Sequence, residues 1–347
     1  LKAISIIQFK LEGQVIRRRP QYNMGDRLLL DYIDYEKGTI RIGQREYPLL
    51  DTHFPTIDPE DPYRLTVEEQ NLLERFQMAF SHSENLQQHV RFLFSKGGIY
   101  LIHDGNLLYH GCIAMNEDGS FKSFNVDGRG FAGKEYMDRV DRLARQGYFA
   151  TDDPEQKRYG MDAMWYLWCG EQSPLFGKDK MTTFERYFID DPATHEEKRN
   201  AYYVLRDQEE TIKRVMREFD LDPEKGHVIN GHVPVKVKKG ERPVKAGGKL
   251  IVIDGGFARA YQKETGIAGY TLISNSFGLL LAAHQAFESL PKAVVEDLDM
   301  RSEMEIIESF PARKRVKDTD EGKKILQQLM HLQKLLKAYR SGQIKEK

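Results

Sequence analysis

The chain has 347 residues, 40% of them hydrophobic and 11% aromatic, enough to bury one large core or two moderate ones in a soluble protein. Lysine plus arginine (52) nearly cancels aspartate plus glutamate (53), so no overall field recommends nucleic acid or an anionic membrane as a partner. Two cysteines, Cys112 and Cys169, make neither a thiolate metal cage nor a secreted disulfide framework, and with no membrane span or signal peptide in view they favour a reducing cytoplasm.

In chain order, Ile4, Ile7, Leu11 and Val15 fall on one face of a helix over residues 3 to 18, which Pro20 closes. Residues 27 to 50 read as a hairpin turning at Glu36-Lys37-Gly38, and His53 to Pro62 as a loop. Thr66 with Glu69 marks the start of a helix running to Phe80; Ser81 with Glu84 opens a second, which Gly97-Gly98 ends. Residues 99 to 115 then supply two apolar runs around Asp104-Gly105-Asn106, a hairpin signal, and the second run ends in His110-Gly111-Cys112. His103 in the same hairpin competes as a ligand, although a mid-strand histidine is more often packed or solvated.

A long helical insertion follows, over about residues 130 to 220. Lys134 to Gln146 is amphipathic, with Met137, Val140 and Leu143 inward and Gly147 as its stop; His195 to Phe219 reads as a strongly charged surface helix. Between them, residues 152 to 180 mix Trp165 and Trp168 with cations and glycines. Such a mixture can line a pocket for a phosphorylated sugar, with Lys157, Arg158, Lys178 or Lys180 meeting phosphate; the plainer reading makes the tryptophans core and the cations solvated.

Residues 227 to 261 form the most informative stretch. Two short buried strands each deliver a polar turn, one ending in Asn230-Gly231-His232 and the other in Asp254-Gly255-Gly256. Two strand-end histidines beside glycines, His110 and His232, have the pattern of a divided metal site. Residues 270 to 287 read as a further hairpin extending the sheet, with His284 packed. Residues 311 to 317 are an exposed loop before a helix from Thr319 to Tyr339, whose Leu326, Leu329, Met330 and Leu336 suit packing on the body or on another subunit. This divides the chain into 1–98, helices and a hairpin leading into the catalytic sheet; 99–295, the sheet with its insertion; and 296–347, a loop and final helix.

His110-Gly111-Cys112-Ile113 resembles the His-Gly-Gly turn of the calcineurin-like metallophosphoesterases, and Gly231-His232-Val233-Pro234-Val235 resembles their Gly-His-Thr-Pro turn; Ile253-Asp254-Gly255-Gly256 is similar to the strand end that follows. Ile7 to Glu12, Asn106 to Ile113, Lys157 to Gly170 and Gly266 to Ser276 are similar to the C-terminal half of the class III fructose-1,6-bisphosphatases of Gram-positive bacteria. The resemblance implies an α/β fold, part of a four-layer αββα sandwich with a helical insertion. It implies a manganese-dependent hydrolase, with Fe or Zn as alternatives, that removes the 1-phosphate of fructose 1,6-bisphosphate in gluconeogenesis by metal-activated water. Under it His110 and His232 bind one ion of a binuclear centre, and Asp254 supports them from behind. Ala114 stands where the family usually has proline, and Cys169-Gly170-Glu171 follows Trp168 where relatives often carry a phosphate-binding arginine.

The superfamily's remaining ligands come from Gly-Asp-x-His, Gly-Asp-x-x-Asp-Arg-Gly and Gly-Asn-His turns, which do not occur in this sequence. With the start at Leu1, the expectation is a C-terminal piece that needs an N-terminal half as partner and is inactive alone, in a parent enzyme able to form homo-oligomers. The rival readings are another metallophosphoesterase, acting on phosphoproteins or dinucleoside polyphosphates, and a non-catalytic scaffold with a degenerate phosphatase fold.

Overall fold

The computed structural model describes residues 2–126, 128–150, 152–256, 259–285, 294–295 and 302–344. It is a mixed α/β chain with several sheets. The first elements are helix α1 (Lys2–Arg18), the strands β1 (Ile33–Asp34), β2 (Thr39–Ile42) and β3 (Arg45–Pro48), then α2 (Val67–Ser81) and α3 (Glu84–Lys96). Next come β4 (Tyr100–His103) and β5 (Asn106–Tyr109), β6 (Phe124–Val126) and β7 (Arg129–Phe131), and the helices α4 (Gly133–Phe149), α5 (Pro154–Cys169) and α6 (Thr183–Phe188). After α7 (Tyr202–Leu205) and α8 (Glu209–Glu218) follow β8 (Val228–Asn230), β9 (Val244–Lys245), β10 (Leu250–Val252), α9 (Arg259–Thr265), β11 (Gly269–Asn275), β12 (Gly278–His284), β13 (Ser302–Ser309) and α10 (Asp320–Arg340). Among the described residues, no helix is long and apolar enough to cross a membrane.

The chain divides into two compact units, residues 1–99 with 111–204 and residues 100–110 with 205–347. In the first, Ile6 and Phe9 of α1 pack with Leu30, with Ile33 and Ile40 of the β1-β2-β3 meander and with Phe184 and Phe188 of α6; Phe9 meets Phe184 edge-on at 5.3 Å. The hairpin turn at residues 35–38 forms as expected, but residues 29–32 before it make a 3₁₀ turn instead of strand. The capping box at Thr66 and Glu69 is complete, and Glu69 also binds Lys10 Nζ at 2.7 Å, an ammonium with no solvent exposure. Ser81 starts no helix: it is the last residue of α2, and α3 begins after Ser83.

Gly147 does not stop α4, which runs on to Phe149. A Cβ there would lie 2.6 Å from the Gly160 carbonyl carbon, and one at Gly160 2.2 Å from the Gly147 nitrogen. The two glycines let α4 and α5 cross backbone to backbone, at a distance that side chains would forbid. Around the crossing, Val15, Tyr22, Tyr136, Val140, Tyr166 and Leu167 form a second core cluster against which Trp165 packs, whereas Trp168 is half exposed. Residues 195–219 are not one surface helix either: α7 and α8 are separate, and Tyr202, Ile212, Val215 and Met216 are fully buried.

The second unit is built on a five-stranded sheet in the order β4-β5-β8-β10-β9, with β5, β8 and β10 parallel. The β4-β5 hairpin turns through Asp104 (φ 50°) and Gly105 (φ 81°), the two consecutive positive values that a two-residue hairpin loop requires. Asp104 and Asp320 exchange hydrogen bonds, each backbone N–H donating to the other's carboxylate at 2.7 Å, which fixes this turn to the start of α10. Strands β11, β12 and β13 make a separate three-stranded sheet and do not extend the first one. The two sheets are tied at His227, buried, whose Nε2 is 3.0 Å from Glu308 Oε2 and Nδ1 2.9 Å from Gly248 O. Along α10, Leu326, Leu329, Met330 and Leu336 all remain about half exposed.

Candidate metal centre

The parallel register decides what the sheet presents. Leu107 and Leu108 of β5 lie beside Val228 and Ile229 of β8, and Val228, Ile229 and Asn230 lie beside Leu250, Ile251 and Val252 of β10. Backbone bonds carry the ladder past the strand ends, with Gly231 N–H donating to His110 O and Ile253 N–H to Asn230 O, both at 2.9 Å. His110, Gly231-His232 and Asp254 therefore leave the sheet together at its carboxyl edge, the edge where open α/β sheets hold ligands.

The imidazoles meet there. His110 Nε2 is 3.1 Å from His232 Nδ1, with ring centroids 5.0 Å apart and planes inclined at 77°. One nitrogen donates and the other accepts when both rings are neutral. Two nitrogens bound to one ion at about 2.1 Å and near a right angle would themselves be about 3 Å apart. The observed spacing thus fits neighbouring ligand positions on a single cation. His103 is at the wrong end of the hairpin: it pairs with Asn106 beside the turn, while His110 follows the opposite end of β5.

His232 has φ 65°, a value that side chains with a Cβ rarely adopt, and is the centre of a three-residue turn closed by Val233 N–H on Gly231 O at 2.8 Å. Strain of this kind persists where the surroundings hold it, commonly at binding sites. Gly231 keeps the space between the turns: a Cβ there would be 3.6 Å from Asp254 Cβ and 3.7 Å from His110 O. Asp254 is anchored beside the pair, its carboxylate accepting from Gly256 N–H at 2.9 Å and its carbonyl from Val235 N–H at 2.8 Å. Among the described residues, no group of three or more His, Cys, Asp or Glu side chains is gathered as a metal site. The pair can fill two positions on an ion, leaving the others to solvent, substrate oxygens or further protein groups.

The four expected phosphate cations lie in the first unit and do not form one cluster. Lys157 and Arg158 are exposed on α5. Lys178 is held by Glu197 at 2.7 Å, a carboxylate that also accepts from Thr182; although burial opposes it, these partners keep Glu197 below its usual range. Lys180, two residues on, is partly buried. Sequence reasoning missed Asp162, buried on α5 and bound by both Arg18 and Arg19; the signal was a lone carboxylate within the apolar run from Tyr159 to Cys169. His284 bonds Thr271 Oγ1 at 2.7 Å and Ser302 Oγ at 2.8 Å within its own sheet, in keeping with a packed role.

Comparison with known proteins adds the family. The model of the Firmicute fructose-1,6-bisphosphatases matches residues 1–341. Among similar proteins, a fructose-1,6-bisphosphatase class 3 of Clostridium botulinum (strain Hall) is 56% identical over 345 residues, 99% of this chain and 52% of its own length. One of Clostridium novyi (strain NT) is 55% identical with the same coverage. The chain thus spans about half the length of the curated relatives it matches. No solved structure matches. On the reach of the family model and the identity to these relatives, the chain belongs to the Firmicute fructose-1,6-bisphosphatase family.

Proposed function

We propose that the protein takes part in hydrolysing a phosphate monoester of fructose 1,6-bisphosphate, and that His110 and His232 supply two neutral imidazole ligands to a manganese ion at the carboxyl edge of the five-stranded sheet. The observation that carries this reading is the 3.1 Å approach of His110 Nε2 to His232 Nδ1. Rings 122 positions apart meet nitrogen to nitrogen, one of them in a strained backbone conformation. The relatives' name supports the substrate. Imidazole nitrogen suits Mn, Fe and Zn alike, so the two ligands leave the metal's identity to the rest of its shell.

A bound divalent ion would supply Lewis acidity, lowering the pKa of water and offsetting charge on phosphoryl oxygens. The chain's own part is to hold both imidazoles unprotonated and correctly turned. The β5-β8-β10 register fixes their spacing, and the turn at His232 fixes one ring's direction. Asp254, anchored by Gly256, would polarise the imidazoles from outside the ion's shell. In the same reading the mixed sheet is one of the two inner sheets of an αββα sandwich.

The test is manganese binding, followed by the electron spin resonance signal of the free ion, in the protein and in His110→Ala and His232→Ala. Each substitution should weaken binding by at least tenfold. Unchanged manganese affinity in either variant would remove that residue from the site.

A further inference from the structure

Helix α10 is anchored at its start and exposed along its length. The Thr319 hydroxyl accepts from Gly322 N–H at 3.0 Å, Gly322 lies so close to Val316 O that a Cβ would come within 1.7 Å of it, and Asp320 exchanges its two hydrogen bonds with Asp104. From Lys323 to Lys337 every residue is exposed. A helix in water gains little from its own backbone, and most of its stability comes from packing an apolar face on something else. Yet Ile325, Leu329, Leu332, Leu336 and Tyr339 are between 42% and 61% exposed. They recur at intervals of four, three, four and three residues, the spacing that keeps one stripe of a helix facing a partner helix. His331 and Lys334 fall on the side away from that stripe.

The stripe is complementary to itself. Laid against a second copy running the other way, about a twofold axis between Met330 and His331, Ile325 faces Leu336 of the copy and Leu329 faces its Leu332, so each seam position meets a seam position. Charge selects the direction. Residues 325–333 carry no Asp, Glu, Lys or Arg, whereas residues 334–340 carry Lys334, Lys337 and Arg340 and no carboxylate. The start of the helix is balanced, with Asp320 and Glu321 against Lys323 and Lys324. Antiparallel pairing sets the cationic end of one copy against the balanced end of the other and brings Arg340 level with Glu321, an exposed carboxylate; parallel pairing would set three cations against three.

We propose that α10 is the self-association surface of this protein, pairing antiparallel with α10 of a second copy through the stripe from Ile325 to Tyr339. No residue of that stripe belongs to the two-histidine site, so pairing and manganese binding are separable.

The experiment is sedimentation equilibrium of the whole chain, with near-ultraviolet circular dichroism of the buried aromatic core as the control for folding. At about 50 μM protein a dimer of micromolar affinity should predominate. Leu329→Glu puts a carboxylate of each copy into the apolar seam and should weaken the dimer about a hundredfold, with the dichroism unchanged. His331→Glu adds the same charge on the opposite side of the helix and should leave the dimer intact. Direction is read by cross-linking. Ile325→Cys and Leu336→Cys proteins should form a disulfide when mixed and not when either is oxidised alone, the native Cys112 and Cys169 being buried. A monomer at this concentration overturns the proposal and gives α10 to a different protein. A dimer that survives Leu329→Glu overturns it by moving the contact to another surface, and cross-linking of Ile325→Cys with itself overturns the antiparallel pairing.

Discussion

At the scale of single residues, one side chain and one ion pair hold positions that their chemistry resists. His232 sits at φ 65°, and replacing it by glycine removes the clash of Cβ with its own backbone. Relative to His232→Ala, the His232→Gly protein should be more stable by about 1 kcal/mol in urea unfolding, while both lack the imidazole. Equal stability would show that the turn is unstrained. Lys10 and Glu69 are the second case, an ion pair out of solvent that also completes the cap of α2. Burial pushes the Glu69 carboxyl up, but Lys10 and the Thr66 N–H outweigh it and hold the group below its ordinary value. A carboxylate with a depressed folded pKa contributes fully above about 4.3 and loses that contribution as the pH falls through the folded value. Glu69→Gln should therefore cost about 3 kcal/mol at pH 7, because it leaves the Lys10 ammonium buried, and should flatten the fall in melting temperature below pH 5. A parallel acid limb in wild type and variant would show that the pair does not titrate as described.

Elements show how far the letters of the chain reach. The strand ends were legible because a buried parallel strand is a short apolar run, and a histidine beside a glycine at its end is an unusual interruption. His110 and His232 accordingly meet where that pattern places them. The α2 cap was legible for the same reason, as a fixed pair of polar residues three apart. What stayed hidden was tertiary. Gly147 has the local signature of a helix stop, and only contact with Gly160 explains a glycine in mid-helix. Glycine there costs about 1 kcal/mol of helix propensity, which the crossing offsets. Gly160→Val should destabilise the first unit by more than 3 kcal/mol, since its Cβ would meet backbone that cannot move aside, and calorimetry would show it. A loss under 1 kcal/mol would mean that α4 and α5 can separate freely. The charged run of residues 195–219 misled in the opposite direction. Its charges outnumber the apolar positions that bury Tyr202, Ile212, Val215 and Met216, so composition hid the period of α8.

Across the whole molecule, the division into units does not follow chain order. The β4-β5 hairpin, residues 100–110, belongs to the second unit although residues on both sides of it belong to the first. The second unit cannot be obtained by a single cut: residues 205–347 alone would lack β4 and β5, leave the parallel edge of β8 bare and lose His110. Such a shortened chain should fail to give a cooperative melting transition. The same chain expressed with residues 100–110 supplied as a linked hairpin should recover one, and a sharp transition without the hairpin would show that the sheet is complete from β8 onward.

That same weave has a consequence for how metal and folding talk to each other. An ion clasped by two rings 122 positions apart closes a long loop of polypeptide, as a reversible rivet would. Its free energy of capture is added to the native state and absent from the unfolded one, so the melting temperature would climb logarithmically with free manganese and sink again under a chelator. On the proposed reading, a cell short of the ion would hold a less sturdy protein.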